Sequence, residues 1–178
     1  STTGESGMIA IERPDYLVPV PGNRFFDGVF VPKTAAETAT STGIRIVDLA
    51  ETSGQTWEYF KFGPSSGFTV NTINGTDYSA DPHWMLAMHA NKGITFDVEA
   101  MRTAYGFGAS RFRTLFGHGG AQGESQLDFA VYLDGQRVLH APNFEAQQAG
   151  LEVDVELPLS ARFLTLVVTE GGKGISHD

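Results

Sequence analysis

At 178 residues the chain is long enough for one domain with a sizeable core and too short for two independent ones. Twelve Lys and Arg against 21 Asp and Glu give a formal net charge of -9, which repels a phosphate backbone or an anionic lipid face and excludes nucleic acid as the expected partner. With no cysteine in the chain, disulfides, thiolate zinc sites and cysteine nucleophiles are all excluded, and no apolar run approaches the roughly 20 residues needed for a membrane span.

Thirteen Phe and 21 Gly indicate short apolar strands joined by glycine turns. In chain order the apolar runs are Met8 to Ile11, Tyr16 to Val20, Phe25 to Val31, Ile44 to Leu49, Phe68 to Ile73 and Met85 to His89. They continue as Ile94 to Val98, Arg111 to Phe116, Leu127 to Leu133, Arg137 to His140, Leu151 to Leu157 and Phe163 to Thr169. The prolines of Tyr16 to Pro21 predict an extended edge segment, because proline cannot donate to a central ladder. Thr34 to Thr42 reads as a surface loop or a short helix, and Val98 to Tyr105 as a turn or two of helix.

Period 2 places Leu127, Phe129, Val131 and Leu133 on one face, with Asp128, Ala130 and Tyr132 on the other. It likewise sets Leu151, Val153, Val155 and Leu157 against Glu152, Asp154 and Glu156. Both segments read as half-buried strands. Asp134-Gly135 is the strongest hairpin signal, since the primed turn needs positive φ, and it predicts antiparallel pairing of 127–133 with 136–140. Ser, Asp and Pro between Tyr78 and Pro82 mark a boundary, giving an N-terminal β-rich extension over 1–82, packed on the same sandwich as a core over 83–178. Ser1 in place of a methionine and the glycine-rich polar stretch ending at Asp178 suggest a fragment of a longer chain.

Catalytic motifs do not emerge. The five histidines lack metal-ligand spacing, no Gly-x-Ser-x-Gly elbow occurs, and the glycine clusters at 117–120 and 171–174 do not match a phosphate loop. They read instead as tight loops at strand ends, where a rigid sandwich often carries its ligand contacts. His89 and His177 lie at strand ends beside Asn91 and Asp178, whose side chains can hydrogen-bond hydroxyls. Trp57, Tyr59, Tyr78, Trp84 and Tyr105 lie near turns and suit a stacking platform by type. No cofactor is expected. Loop carbonyls with Asp97 or Asp178 supply the hard oxygen ligands a structural calcium needs, without an EF-hand pattern.

The order and spacing of His89-Ala90-Asn91, Ile94-Thr95-Phe96-Asp97, Arg111-Phe112-Arg113, Val131-Tyr132-Leu133-Asp134-Gly135, Leu166-Val167-Val168-Thr169 and Gly174-Ile175-Ser176-His177-Asp178 resemble the NPCBM family of bacterial carbohydrate-binding modules. The resemblance covers roughly His83 to Asp178. It implies an all-β, galactose-binding-like jelly-roll β-sandwich, continuing past Asp178 into a tryptophan-containing strand. It also implies a non-catalytic module of a larger extracytoplasmic bacterial protein, periplasmic or secreted, with an oligo- or polysaccharide and the parent's other domains as partners. On that reading the ligand-binding residues are His89, Asn91, Trp84, His177 and Asp178. A structural or protein-interaction sandwich without sugar binding is the alternative, and a hydrolase with paired carboxylates is a third reading.

Overall fold

Apolar alternation along the chain resolves into antiparallel sheets stacked around a shared interior. The computed structural model describes residues 7–10, 16–20, 22–56, 59–63, 72–78, 80, 83–106, 108–120, 125–171 and 174–175. The strands are β1 (Gly7–Ala10), β2 (Phe26–Phe30), β3 (Glu37–Thr38), β4 (Arg45–Ile46), β5 (Tyr59–Gly63), β6 (Thr72–Ile73), β7 (Thr76–Asp77), β8 (Met85–Met88) and β9 (Lys92–Asp97). After the helix α1 (Val98–Tyr105) come β10 (Arg111–Phe116), β11 (Gln126–Leu133), β12 (Gln136–Glu145), β13 (Leu151–Glu156) and β14 (Phe163–Glu170).

One layer is a five-stranded sheet in the order β12-β11-β14-β9-β2. Facing it are a three-stranded sheet, β1-β5-β8, and a two-stranded sheet, β10-β13. Val29, Ile94, Phe129, Val131 and Leu166 of the large sheet pack with Phe60 of β5 and with Val153 and Val155 of β13 in one core. This is the all-β sandwich that the alternation predicts.

The Asp134-Gly135 hairpin joins β11 to β12 as expected, with Leu133 opposite Gln136 and φ of 46° and 80° at the two turn residues. Asp134 also accepts hydrogen bonds from the N–H groups of Arg162 and Phe163, tying the turn to the start of β14. A Cβ at Gly135 would stand 2.7 Å from the Arg45 carbonyl oxygen, so the turn needs glycine for space as well as for φ. Strand β13 alternates as read, with Val153 and Val155 buried and Glu152, Asp154 and Glu156 exposed.

Strand β11 is not half-buried. Ala130 and Tyr132, on its outer face, pack with Phe30, Ala39, Ile46, Leu49 and Val167 in a second core. The cover is the segment after β2, with its small β3-β4 ladder, so Thr34 to Thr42 forms no helix. Alternation within β11 cannot reveal this, because the covering residues lie about 80 to 100 positions earlier in the chain.

Val18 bridges Val29 at the margin of the large sheet, as the proline-flanked edge reading requires. Val98–Tyr105 is helical because Asp97 caps it: its carboxylate accepts from the Ala100 N–H at 2.8 Å, and Gly106 closes the helix with φ 66°. The second Asp97 oxygen takes the Arg162 guanidinium at 3.0 Å. The Asp97 oxygens considered for calcium are therefore engaged by an N–H and an arginine, Asp178 lies outside the described residues, and no cluster of three His, Asp or Glu that could hold a metal occurs among the described residues. No described helix is long and apolar enough to cross a membrane.

Candidate functional site

Strand β8 connects two contrasting environments. Its C-terminal end leads into His89-Ala90-Asn91, which crosses from the facing layer to β9 of the large sheet. Asn91 is fully buried and holds φ at 60°, a left-handed conformation that asparagine tolerates better than most residues. Its amide nitrogen donates to the Gln55 carbonyl at 2.9 Å and to a Glu170 carboxylate oxygen at 3.0 Å. Its amide oxygen accepts from the Glu170 N–H at 2.9 Å.

Ser53 completes the network, donating to Glu170 through both its backbone N–H and its hydroxyl. Burial pushes the Glu170 carboxyl up, but the Ser53 and Asn91 donors more than offset this and hold it below the ordinary carboxylate range. Three segments far apart in sequence, around residues 53–55, 91 and 170, are thus locked together at one end of the sandwich. Both ends of the Asn91 amide are committed to protein groups.

His89 is 5% exposed, and burial keeps its imidazole pKa below the usual value, with the Ala90 carbonyl opposing and Lys92 reinforcing that effect. Lys92 is itself fully buried, with its ammonium 5.3 Å from the Phe60 ring centroid, and burial lowers its pKa to about 8. The sequence reading overlooked Lys92, Ser53 and Glu170. The available signal was a lysine standing in an otherwise apolar strand opening. His177 and Asp178 lie outside the described residues.

Trp84 stands at the other end of β8. At about 3.3 Å per strand residue it is on the order of 15 Å from His89, so the structure does not bring the two into one site. Its side chain is 58% exposed. Beside it, the Tyr78 and His83 rings pack with centroids 4.8 Å apart. His83 had no metal-ligand spacing to single it out. Its signal was a tyrosine five positions earlier, with a proline between them in the sequence.

Trp84 and Tyr78 border a cavity of about 220 Å³ lined by residues of β8 and β10, strands of two different sheets. Its interior is apolar: Met88, Leu115, Leu127 and Leu166 line it, with the Phe116 and Phe129 rings stacked 4.2 Å apart. His118 closes one side. Its Nδ1 accepts from the Gly120 N–H at 3.0 Å, which leaves Nε2 as the protonated nitrogen, donating to the Ser125 hydroxyl at 2.9 Å. Burial lowers this imidazole's pKa to about 4. Both His118 nitrogens are thus committed to protein groups.

A sugar ring cannot enter the apolar interior cheaply, because each unpaired hydroxyl would lose its water. The mouth is different. There the exposed indole offers an apolar face, while Tyr78, packed against His83, offers a polar edge in reach of solvent.

Among solved structures, the chain is similar to a CBM51 module from Clostridium perfringens GH95 in complex with methyl-galactose, at 17% identity and a TM-score of 0.46, covering 99% of this chain and 84% of that one. It is similar to the tandem CBM51 modules of Sp3GH98, the family 98 glycoside hydrolase from Streptococcus pneumoniae SP3-BS71, at 19% identity and a TM-score of 0.45, covering 59% of this chain and 31% of that one. It is also similar to the M60 catalytic domain with two CBM51 domains from Clostridium perfringens ZmpB, at 22% identity and a TM-score of 0.44, covering 52% of this chain and 9% of that much longer one. No curated protein matches. The sequence profile of the NPCBM/NEW2 domain matches residues 50–178, well over half of the chain, beginning upstream of the 83–178 stretch that carries the motifs. The chain belongs to the NPCBM/NEW2 domain family.

Proposed function

We propose that this chain binds carbohydrate without turning it over, as a module of a larger extracytoplasmic protein, and that Trp84 is its stacking platform. The observation that carries the reading is a large indole, 58% exposed at the mouth of a cavity in a chain of a carbohydrate-binding-module family. Burying such a ring would contribute about 1.5–3 kcal/mol. An indole left in water beside two further polar aromatics is a surface suited to the CH face of a pyranose. The roles first expected of His89 and Asn91 become indirect: they position the strand end and do not offer free polar groups to a ligand. His177 and Asp178 remain candidates for direct contact.

Titration calorimetry against a panel of neutral oligosaccharides tests this. Binding in the micromolar to millimolar range, weakened at least tenfold in Trp84→Ala at unchanged thermal stability, supports it. Absence of heat across the panel favours the protein-interaction reading. Hydrolysis of aryl glycosides by the wild type, lost in a carboxylate variant, would overturn the non-catalytic part.

A further inference from the structure

On the outer face of the five-stranded sheet, where the covering segment ends at Leu49 and Ala50, lies a second cavity of about 260 Å³. Its floor includes Ala130 of β11 and Val167 of β14, and around it stand Asp48, Asp128, Arg137 and His140. Asp48 pairs with the Arg137 guanidinium at 3.0 Å. The side chain of Tyr132 is buried beside this pair, and its pKa is raised to about 12, by burial first and then by the charge of Asp48. Asp128 accepts from the Asn143 N–H at 2.7 Å, and its other oxygen stands 3.9 Å from His140 Nε2. The charged groups are therefore held in place by the sheet and by the irregularity of β12 at Asn143.

Thr169 is the second observation. It lies on the same outer face, directly across the ladder from Asp128, and lines the cavity. It is 4% exposed, and among the described residues nothing hydrogen-bonds its hydroxyl. A buried hydroxyl without a partner carries a desolvation cost that a ligand group can remove.

We propose that this cavity is a second binding site, independent of the Trp84 mouth, for a single uncharged polyhydroxylated ring of hexose size. Small apolar groups on the floor match a ring's CH face, while carboxylate acceptors and guanidinium and hydroxyl donors at the rim match hydroxyls that both donate and accept. Two carboxylates against one guanidinium leave the rim negative, which disfavours phosphate or carboxylate ligands. The volume lies below the roughly 300 Å³ at which pockets for drug-sized ligands begin, which fits one ring.

The test is a protein-observed NMR titration with galactose, glucose and mannose, following the Ala130 and Val167 methyl signals in the wild type and in Trp84→Ala. The site predicts saturable shifts of both methyls with at least one hexose, and the same dissociation constant in Trp84→Ala, so its fate is separable from that of the Trp84 platform. Thr169→Val keeps the shape and removes the hydroxyl, and should weaken these shifts at least tenfold. Ala130→Leu fills the floor and should abolish them, with circular dichroism confirming the fold; if that variant fails to fold, Thr169→Val decides alone. Unmoved methyls with all three sugars, or equal affinity in folded Thr169→Val, would overturn the proposal, as would glucose 6-phosphate binding more tightly than glucose.

Discussion

The two ends of β8 carry residues of similar apparent promise and put them to opposite uses. At the Asn91 end, the amide, the Ser53 hydroxyl and the Glu170 carboxylate satisfy one another inside the protein. At the Trp84 end, the ring is left in solvent at a cavity mouth. Residue type alone does not separate a ligand contact from a structural pin. The accounting of hydrogen bonds and exposure does, because a polar group already paired and buried has little left to offer a sugar.

Three variants put that contrast under strain, in order of expected effect on stability. Asn91→Ala removes four side-chain hydrogen bonds at a fully buried position and strands the Glu170 N–H, so urea unfolding should show a loss of about 3–4 kcal/mol. A loss below about 1 kcal/mol would show that the network is not the pin described.

Acid should act through the buried imidazoles. His118 is neutral in the folded state, with its pKa lowered from 6.5 to about 4, so between those values the unfolded chain binds more protons. Stability from this group is complete above about pH 6.5 and falls by on the order of 3 kcal/mol as pH drops toward 4. His89 is shifted in the same direction and adds to the slope. His118→Asn, measured from pH 7 to 4, should be less stable at pH 7 and have a flatter pH profile. An unchanged slope would remove His118 from the account.

Trp84→Ala should have the smallest effect on stability, within about 0.5 kcal/mol by thermal unfolding, because the ring is mostly exposed. A loss of several kcal/mol would mean that the indole is a packing residue and would erase the difference between the two ends.

Much of the fold was legible locally. The Asp134-Gly135 turn, the alternation of β13 and the carboxylate ahead of Val98 each carry their own short-range cause. What escaped reading depends on distance along the chain. Tyr132 sits on the outward face of its strand yet is 1% exposed, because the segment around Ile46 and Leu49 folds over it. Gly93 gave no hint of its reason: a Cβ there would overlap the ring of Phe30, its cross-strand partner in β2.

The same limit governed the sites. Trp84 could be singled out as an aromatic near a turn. That Asn91 spends both ends of its amide on residues 55 and 170 is a fact of tertiary structure. The outer-face cavity joins Asp48, Asp128 and Thr169 across about 120 residues and has no motif at all.

The central claim is that sugar stacks on Trp84, and the chain's two tryptophans allow a direct measurement. In Trp57→Phe the only indole is Trp84. Titrating that variant with an oligosaccharide that releases heat in calorimetry should shift its emission to the blue, saturating at the calorimetric dissociation constant. Binding heat with no change in Trp84 emission would contradict the account.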